Sequence, residues 1–147
     1  MSKTFSVEDG NPSVSTILGT RSVQYRDIDL TFTNKTVSGE IFKKTESAAV
    51  KQAVKNLVMT NFAEKPFLPT FGGNIRSLLF ELADEDAEED IENNVISAIN
   101  KFEPRARTLN VEAISNPDRN AVDVTIVFQV VNTQEEVSLS IALARLR

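Results

Sequence analysis

Asn100–Leu109 reads NKFEPRARTL, and the spacing of apolar residues changes across it. Before it, Ile91, Val95, Ala98, Ile99 and Phe102 recur three or four residues apart, as on one face of a helix. After it, Leu109, Val111 and Ala113 alternate with polar residues, as on one face of a strand. Pro104 disfavours helical backbone at Glu103, so the helix stops there. The stop leaves a carboxylate at the negative end of a helix dipole, which costs about 0.3–1 kcal/mol unless a cation offsets it. Arg105 and Arg107 follow at once. The stretch therefore predicts a helix, a charged turn and then a strand.

Downstream, SNPDRN is a turn, Val122–Val131 is a β-rich run, and NTQEE turns the chain again. Val137, Leu139, Ile141 and Leu143 then alternate with small residues in a last strand that runs into the basic ARLR. Short turns between sequential strands predict an antiparallel three-stranded meander over residues 108–146.

Upstream, DEDAEEDIENNVISAINKF predicts a helix of about five turns. Asp86 and Glu89 are spaced as a capping box, and the acidic cluster lies at the positive end of the dipole. A calcium loop would need the DxDxDG pattern, which this run lacks. In KPFLPTFGGNIRSLLFEL the prolines enforce an extended path, Gly72 and Gly73 permit a tight turn, and Ile75, Leu78, Leu79 and Leu82 begin a short helix. The glycines lack the GxxxxGK[ST] spacing of a phosphate cradle. Phe67 and Phe71 flank Pro69 and are expected to be architectural, each stabilising by about 1.5–3 kcal/mol when buried.

From Glu46 to Phe62, Val50, Val54, Leu57 and Val58 recur at helical spacing, with Lys51 and Lys55 on the exposed side. In YRDIDLTF, Ile28, Leu30 and Phe32 alternate with Asp27, Asp29 and Thr31, predicting an extended segment with one buried face and acidic edge protection. Residues 1–22 mix Ser, Thr, Asn, Gly and Pro and read as an extended arm that Val14, Ile17 and Leu18 could dock. The expected fold class is α+β: amphipathic helices packed on a C-terminal antiparallel three-stranded meander. The expected organisation is an N-terminal extension over 1–22 and one domain over 23–147.

Composition narrows the chemistry. A net charge of -5 opposes binding to phosphate backbones or anionic membranes, because such binding rests on clustered Lys and Arg. Without cysteine or histidine there are no disulfides, thiol nucleophiles or imidazole acid-base groups, and the usual zinc ligands are missing. No apolar run approaches the length of a membrane span, and MSKTFSVEDG lacks the apolar core of a signal peptide, so a cytoplasmic origin is expected. Asn34-Lys35-Thr36 matches a glycosylation sequon, a pattern common by chance.

Four separated stretches carry a resemblance: YRDIDLTF, KQAVKNLVMTN, KPFLPTFGGNIRSLLFE and NKFEPRARTL, in that order. Together they resemble the phage baseplate wedge and sheath-initiator family, shared by contractile tails and type VI secretion baseplates, over residues 25–147. The resemblance implies a non-enzymatic structural subunit of the virion tail baseplate, assembled in the host cytoplasm. Its implied partners are other baseplate wedge proteins, through their core bundle, and the tail sheath subunit, whose polymerisation it nucleates. No cofactor, metal, nucleic acid, membrane or small-molecule substrate is expected.

In the family the Glu-Pro-Arg turn is a docking signature, which falls here on Glu103, Pro104 and Arg105. From residue types alone, an internal cap is the plainer account: Lys101 or Arg105 neutralises Glu103, at a value of about 0–1 kcal/mol. With the resemblance, docking is expected. The resemblance likewise implies that the strand carrying Val137, Leu139, Ile141 and Leu143 contacts the sheath by main-chain hydrogen bonding, whereas its alternation alone fits an internal strand equally well.

A second class of function is a carboxylate-dependent muralytic glycosidase, lysozyme-like and associated with the tail, since such enzymes need only two acidic groups. Glu103 with Glu81 or Asp84 would be its acidic pair. The chain has no Trp and one Tyr, which leaves few aromatic faces for a sugar.

Overall fold

The computed structural model describes residues 24–79, 85–116, 118–119 and 121–144. A short hairpin pairs β1 (Arg26–Ile28) with β2 (Lys43–Thr45), and helix α1 (Glu46–Met59) follows directly. The four-residue α2 (Ile75–Leu78) and the long α3 (Glu85–Phe102) lead into β3 (Ala106–Asn116), β4 (Ala121–Val130) and β5 (Glu136–Ala144). The last three strands form one antiparallel sheet in the order β3-β4-β5. The expected α+β class and C-terminal meander are therefore present. The arm over 1–22 with Val14, Ile17 and Leu18, the side chain of Asp86, Leu82, and Arg145 to Arg147 lie outside the described residues.

One face of the sheet carries the core. β4 sits centrally and alternates strictly, burying Val122, Val124, Ile126, Phe128 and Val130. α3 lies along β3, and α1 packs against β4 and β5. Val50, Val54, Leu57 and Val58 of α1 meet Ile91, Val95, Ala98 and Ile99 of α3 over this face. The 3.6-residue spacing of the helices and the two-residue spacing of the strands thus converge on one apolar layer, each large side chain stabilising by about 1.5–3 kcal/mol.

β3 departs from the expected pattern at Leu109. Thr108 pairs with Phe128 and Asn110 with Val127, so Leu109 is an extra residue in a bulge. It is 47% exposed, while Val111 and Ala113 are buried. The three do not share a face, because one inserted residue reverses the inside-outside phase of the strand.

The two outer edges of the sheet are unlike. On the β3 edge, the Ala113 N–H donates to Glu92 Oε1 at 2.9 Å and the Ser115 N–H to Glu88 Oε1 at 2.7 Å. Four residues of helix rise about 6 Å and two residues of strand about 6.6–6.8 Å, so carboxylates one helical turn apart reach alternate amides of the strand beneath. On the β5 edge, no strand adjoins among the described residues.

The glycine pair terminates α1. Gly73 N–H donates to Leu57 O at 3.1 Å and Asn74 N–H to Thr60 O at 3.3 Å, so the returning loop satisfies carbonyls at the end of α1. A Cβ on Gly72, whose φ is +124°, would fall 2.2 Å from Thr60 O, and one on Gly73 would fall 2.9 Å from Val58 O. This close return ends α1 at Met59, earlier than the expected Phe62. Phe71 is partly buried and stacks on Phe102, ring centroids 5.0 Å apart. Phe67 is fully exposed with φ +65°, so the architectural role expected of both rings belongs to Phe71 alone. The left-handed backbone at Phe67 turns its ring outward.

The segment YRDIDLTF also differs from expectation. Only Arg26–Ile28 is strand, and Ile28, Leu30 and Phe32 are each about half exposed or more. Among the described residues, the two-stranded hairpin outside α1 has no second layer to cover its alternate side chains. Backbone anchoring holds it instead: Gln52 Nε2 donates to Ile28 O at 2.8 Å, and Glu46 N–H donates to Tyr25 O at 2.8 Å.

Candidate functional site

The first candidate surface is the turn after α3. Glu103 N–H closes the helix onto Ile99 O at 2.9 Å, Pro104 prevents continuation, and Ala106 N–H returns to Glu103 O at 3.1 Å. Glu103 is only 7% exposed. Its carboxylate receives both Arg105 Nε, at 2.6 Å to Oε1, and Arg105 Nη2, at 2.8 Å to Oε2. This two-point pairing fixes the planar guanidinium. The Arg105 side chain is 29% exposed and lies over Tyr25, 5.6 Å from the ring centroid. Hydrogen bonding to Glu103 holds the guanidinium above its ordinary basicity, partial burial opposes this, and the charge of Glu103 reinforces it. Val131 N–H donates to Arg105 O at 3.0 Å, which ties the turn to the loop between β4 and β5.

The carboxylate at the helix end is thus neutralised from within the chain, by Arg105 rather than Lys101. What the turn presents outward is exposed Pro104 and the uncovered part of the guanidinium; Glu103 faces inward. Of the acidic pair weighed for glycoside hydrolysis, Glu81 and Asp84 lie outside the described residues, and Glu103 is occupied by Arg105. Among the described residues, no cluster of acidic side chains is arranged to hold a metal ion.

The second candidate surface is the open edge of β5. Leu139, Ile141 and Leu143 are buried in the core and Val137 is packed against it, so these side chains face α1 rather than a neighbour. The register decides which backbone groups face out. Val130 N–H donates to Glu135 O at 2.9 Å, and stepping by two along the ladder directs the N–H and C=O groups of Val137, Leu139, Ile141 and Leu143 toward β4. Those of Ser138, Ser140 and Ala142 point to the open edge. The alternation visible in the sequence marks the core side of β5, whereas the exposed hydrogen-bonding row belongs to the small residues between.

A groove runs beside this edge. A cavity of 430 Å³ is lined by Leu139 of β5, by Ala48, Lys51, Gln52, Lys55 and Asn56 of α1, and by Asp29, Leu30, Thr31 and Lys44 of the hairpin. A second, of 330 Å³, continues past Lys51 to Glu135, Glu136, Val137 and Ser138. Lys44 pairs with Asp29 at 3.4 Å.

Comparison with known proteins bears on both surfaces. Residues 44–135 match the family model of baseplate wedge protein gp25. Baseplate wedge protein gp25 of Enterobacteria phage T4 is 28% identical over 116 residues, spanning 77% of this chain and 85% of the relative. Among solved structures, a Geobacter sulfurreducens protein described as a candidate tail lysozyme has a TM-score of 0.59 at 22% identity, covering 66% of this chain and 89% of that one. A chain of the anti-feeding prophage baseplate has a TM-score of 0.57 at 18% identity, covering 84% and 88%. These two structures share the fold.

Proposed function

The chain belongs to the baseplate wedge protein gp25 family, and from that premise we propose that it is a non-enzymatic wedge subunit of a contractile tail that docks on neighbouring wedge proteins and starts the tail sheath. Docking uses the turn at Glu103, Pro104 and Arg105, with Pro104 and the outer part of the guanidinium as the contacting surface. Glu103 acts behind them by locking the guanidinium in one plane. Sheath initiation uses the free edge of β5, to which an incoming strand adds by main-chain hydrogen bonds.

The observation that carries this reading is the inequality of the two sheet edges. Glu88 and Glu92 occupy outward amides of β3, while among the described residues nothing pairs with those of Ser138, Ser140 and Ala142 on β5. An exposed edge is ordinarily hazardous and is commonly blocked. One edge blocked by the chain's own helix and the other unpaired among the described residues support the reading that a strand is received on the β5 side. The carboxylate-enzyme alternative gains nothing from the tethering of Glu103 to Arg105.

The test is Ser140→Pro, which removes an outward donor and leaves the ladder to β4 intact, with Ser140→Ala as control. Baseplates that assemble but carry no sheath are expected with the proline, after circular dichroism has established that the variant folds. Normal sheath on those baseplates would overturn the assignment of β5.

A further inference from the structure

We propose that the groove between β5 and α1 selects an extended partner segment that places acidic side chains against Lys51 and Lys55; this rests on the reading of β5 as a strand-accepting edge. Ala48, Lys51, Gln52, Lys55 and Asn56 fall at helical steps of three and four, so one stripe of α1 forms the wall facing the edge. Leu139 on the floor brings that wall beside the outward amides of Ser138 and Ser140. A strand seated on β5 therefore turns alternate side chains toward the lysines.

The charges in the groove are uneven along its length. At the Leu139 end, Lys44, Lys51 and Lys55 face a single carboxylate, Asp29, which is taken up by Lys44. Lys51 and Lys55 form no ion pair among the described residues. At the Val137 end, Glu135 and Glu136 line the continuation. On a chain with a net charge of -5, this is a local cationic site with an acidic neighbour. The complementary segment carries carboxylates opposite Lys51 and Lys55 and neutral or basic residues opposite Glu135 and Glu136. Because a strand slipped by one residue turns its other face to α1, this pattern also fixes the register of the incoming chain.

The experiment titrates the full-length, nitrogen-15-labelled protein with a capped peptide alternating valine with threonine and bearing two aspartates on one face. A counterpart has lysines in place of the aspartates. The acidic peptide is expected to shift the amide resonances of Ser138, Ser140 and Ala142 and to bind at least about tenfold more tightly than the basic one at low salt. In Lys51→Glu/Lys55→Glu, both substitutions being at exposed positions, the order of the two peptides should reverse. Equal binding of both peptides with shifts along β5 would overturn charge selection and leave the strand-accepting edge standing. Shifts at the lysines without shifts along β5 would overturn seating of a strand in the groove. No shift with either peptide would overturn the inference together with the reading it rests on.

Discussion

Replacing Arg105 by alanine strips a buried carboxylate of both its donors. Glu103 is 7% exposed and receives Arg105 through two bonds of 2.6 and 2.8 Å. Removing one member of a buried ion pair costs about 3–5 kcal/mol, because the remaining charge stays desolvated. Arg105 is itself 29% exposed, so water already screens part of the pair, and the lower end, about 3 kcal/mol, is expected. In a domain of this size each kcal/mol lowers the melting temperature by about 2–4 °C, giving a fall of about 6–12 °C. The loss comes from an unpaired charge rather than a missing contact, so adding Glu103→Gln to Arg105→Ala should recover at least about 1 kcal/mol. Thermal melts of the four proteins of this cycle, followed by circular dichroism, measure both quantities. A single Arg105→Ala variant melting within about 2 °C of the parent, or a double variant less stable than it, would refute the reasoning. The outcome also governs assembly experiments, since a docking defect in Arg105→Ala is interpretable only at temperatures well below its melt.

Two further outcomes follow from the edges and the glycine pair. Glu88→Ala/Glu92→Ala frees the amides of Ala113 and Ser115 and should produce concentration-dependent self-association in sedimentation velocity, whereas glutamines at both positions, which keep a carbonyl acceptor, should leave the parent behaviour unchanged; identical sedimentation of all three proteins at every concentration would count against the edge argument. Gly72→Ala forces a Cβ to 2.2 Å from Thr60 O at a φ of +124° and should destabilise by about 2–5 kcal/mol, while Gly39→Ala, at φ +68° with open space around it, should lose only about 1–2 kcal/mol; equal denaturation midpoints would show that close approach is not what demands glycine at residue 72.

The passage from α3 through the turn to β3 was legible because helical and strand spacing abut there and Pro104 marks the boundary. β4 and β5 were legible for a similar reason, their cores being strict alternations between short turns. The bulge at Leu109 carries no such mark: one inserted residue conserves composition and merely shifts phase, and an apolar residue sits at the inserted position. YRDIDLTF misled because its alternation is real but no layer covers it among the described residues, and one anchor of the hairpin is a long-range bond from Gln52, a residue that periodicity counts as polar surface. At the candidate site, the proximity of Glu103 and Arg105 followed from their separation by a single proline, but the inward turn of Glu103 depended on packing by distant elements. The acidic run before Ile91 read as the start of a helix. One of its members, Glu88, and Glu92 one turn further along also seal a strand, a role that becomes visible only when the sheet order is known.

The seal on β3 has a direction in time. Glu92 precedes Ala113 by 21 residues and Glu88 precedes Ser115 by 27, so both carboxylates leave the ribosome before the strand they cover. Chains are made at about 5–20 residues per second, whereas a helix of this length forms within about a microsecond, so α3 can be formed when the first outward amide of β3 emerges. The vulnerable interval, when unpaired strand could join another nascent copy, is confined on that side to the closing of a short loop. β5, made after β3 and β4, has no such escort among the described residues, so on its side the same interval does not close with synthesis.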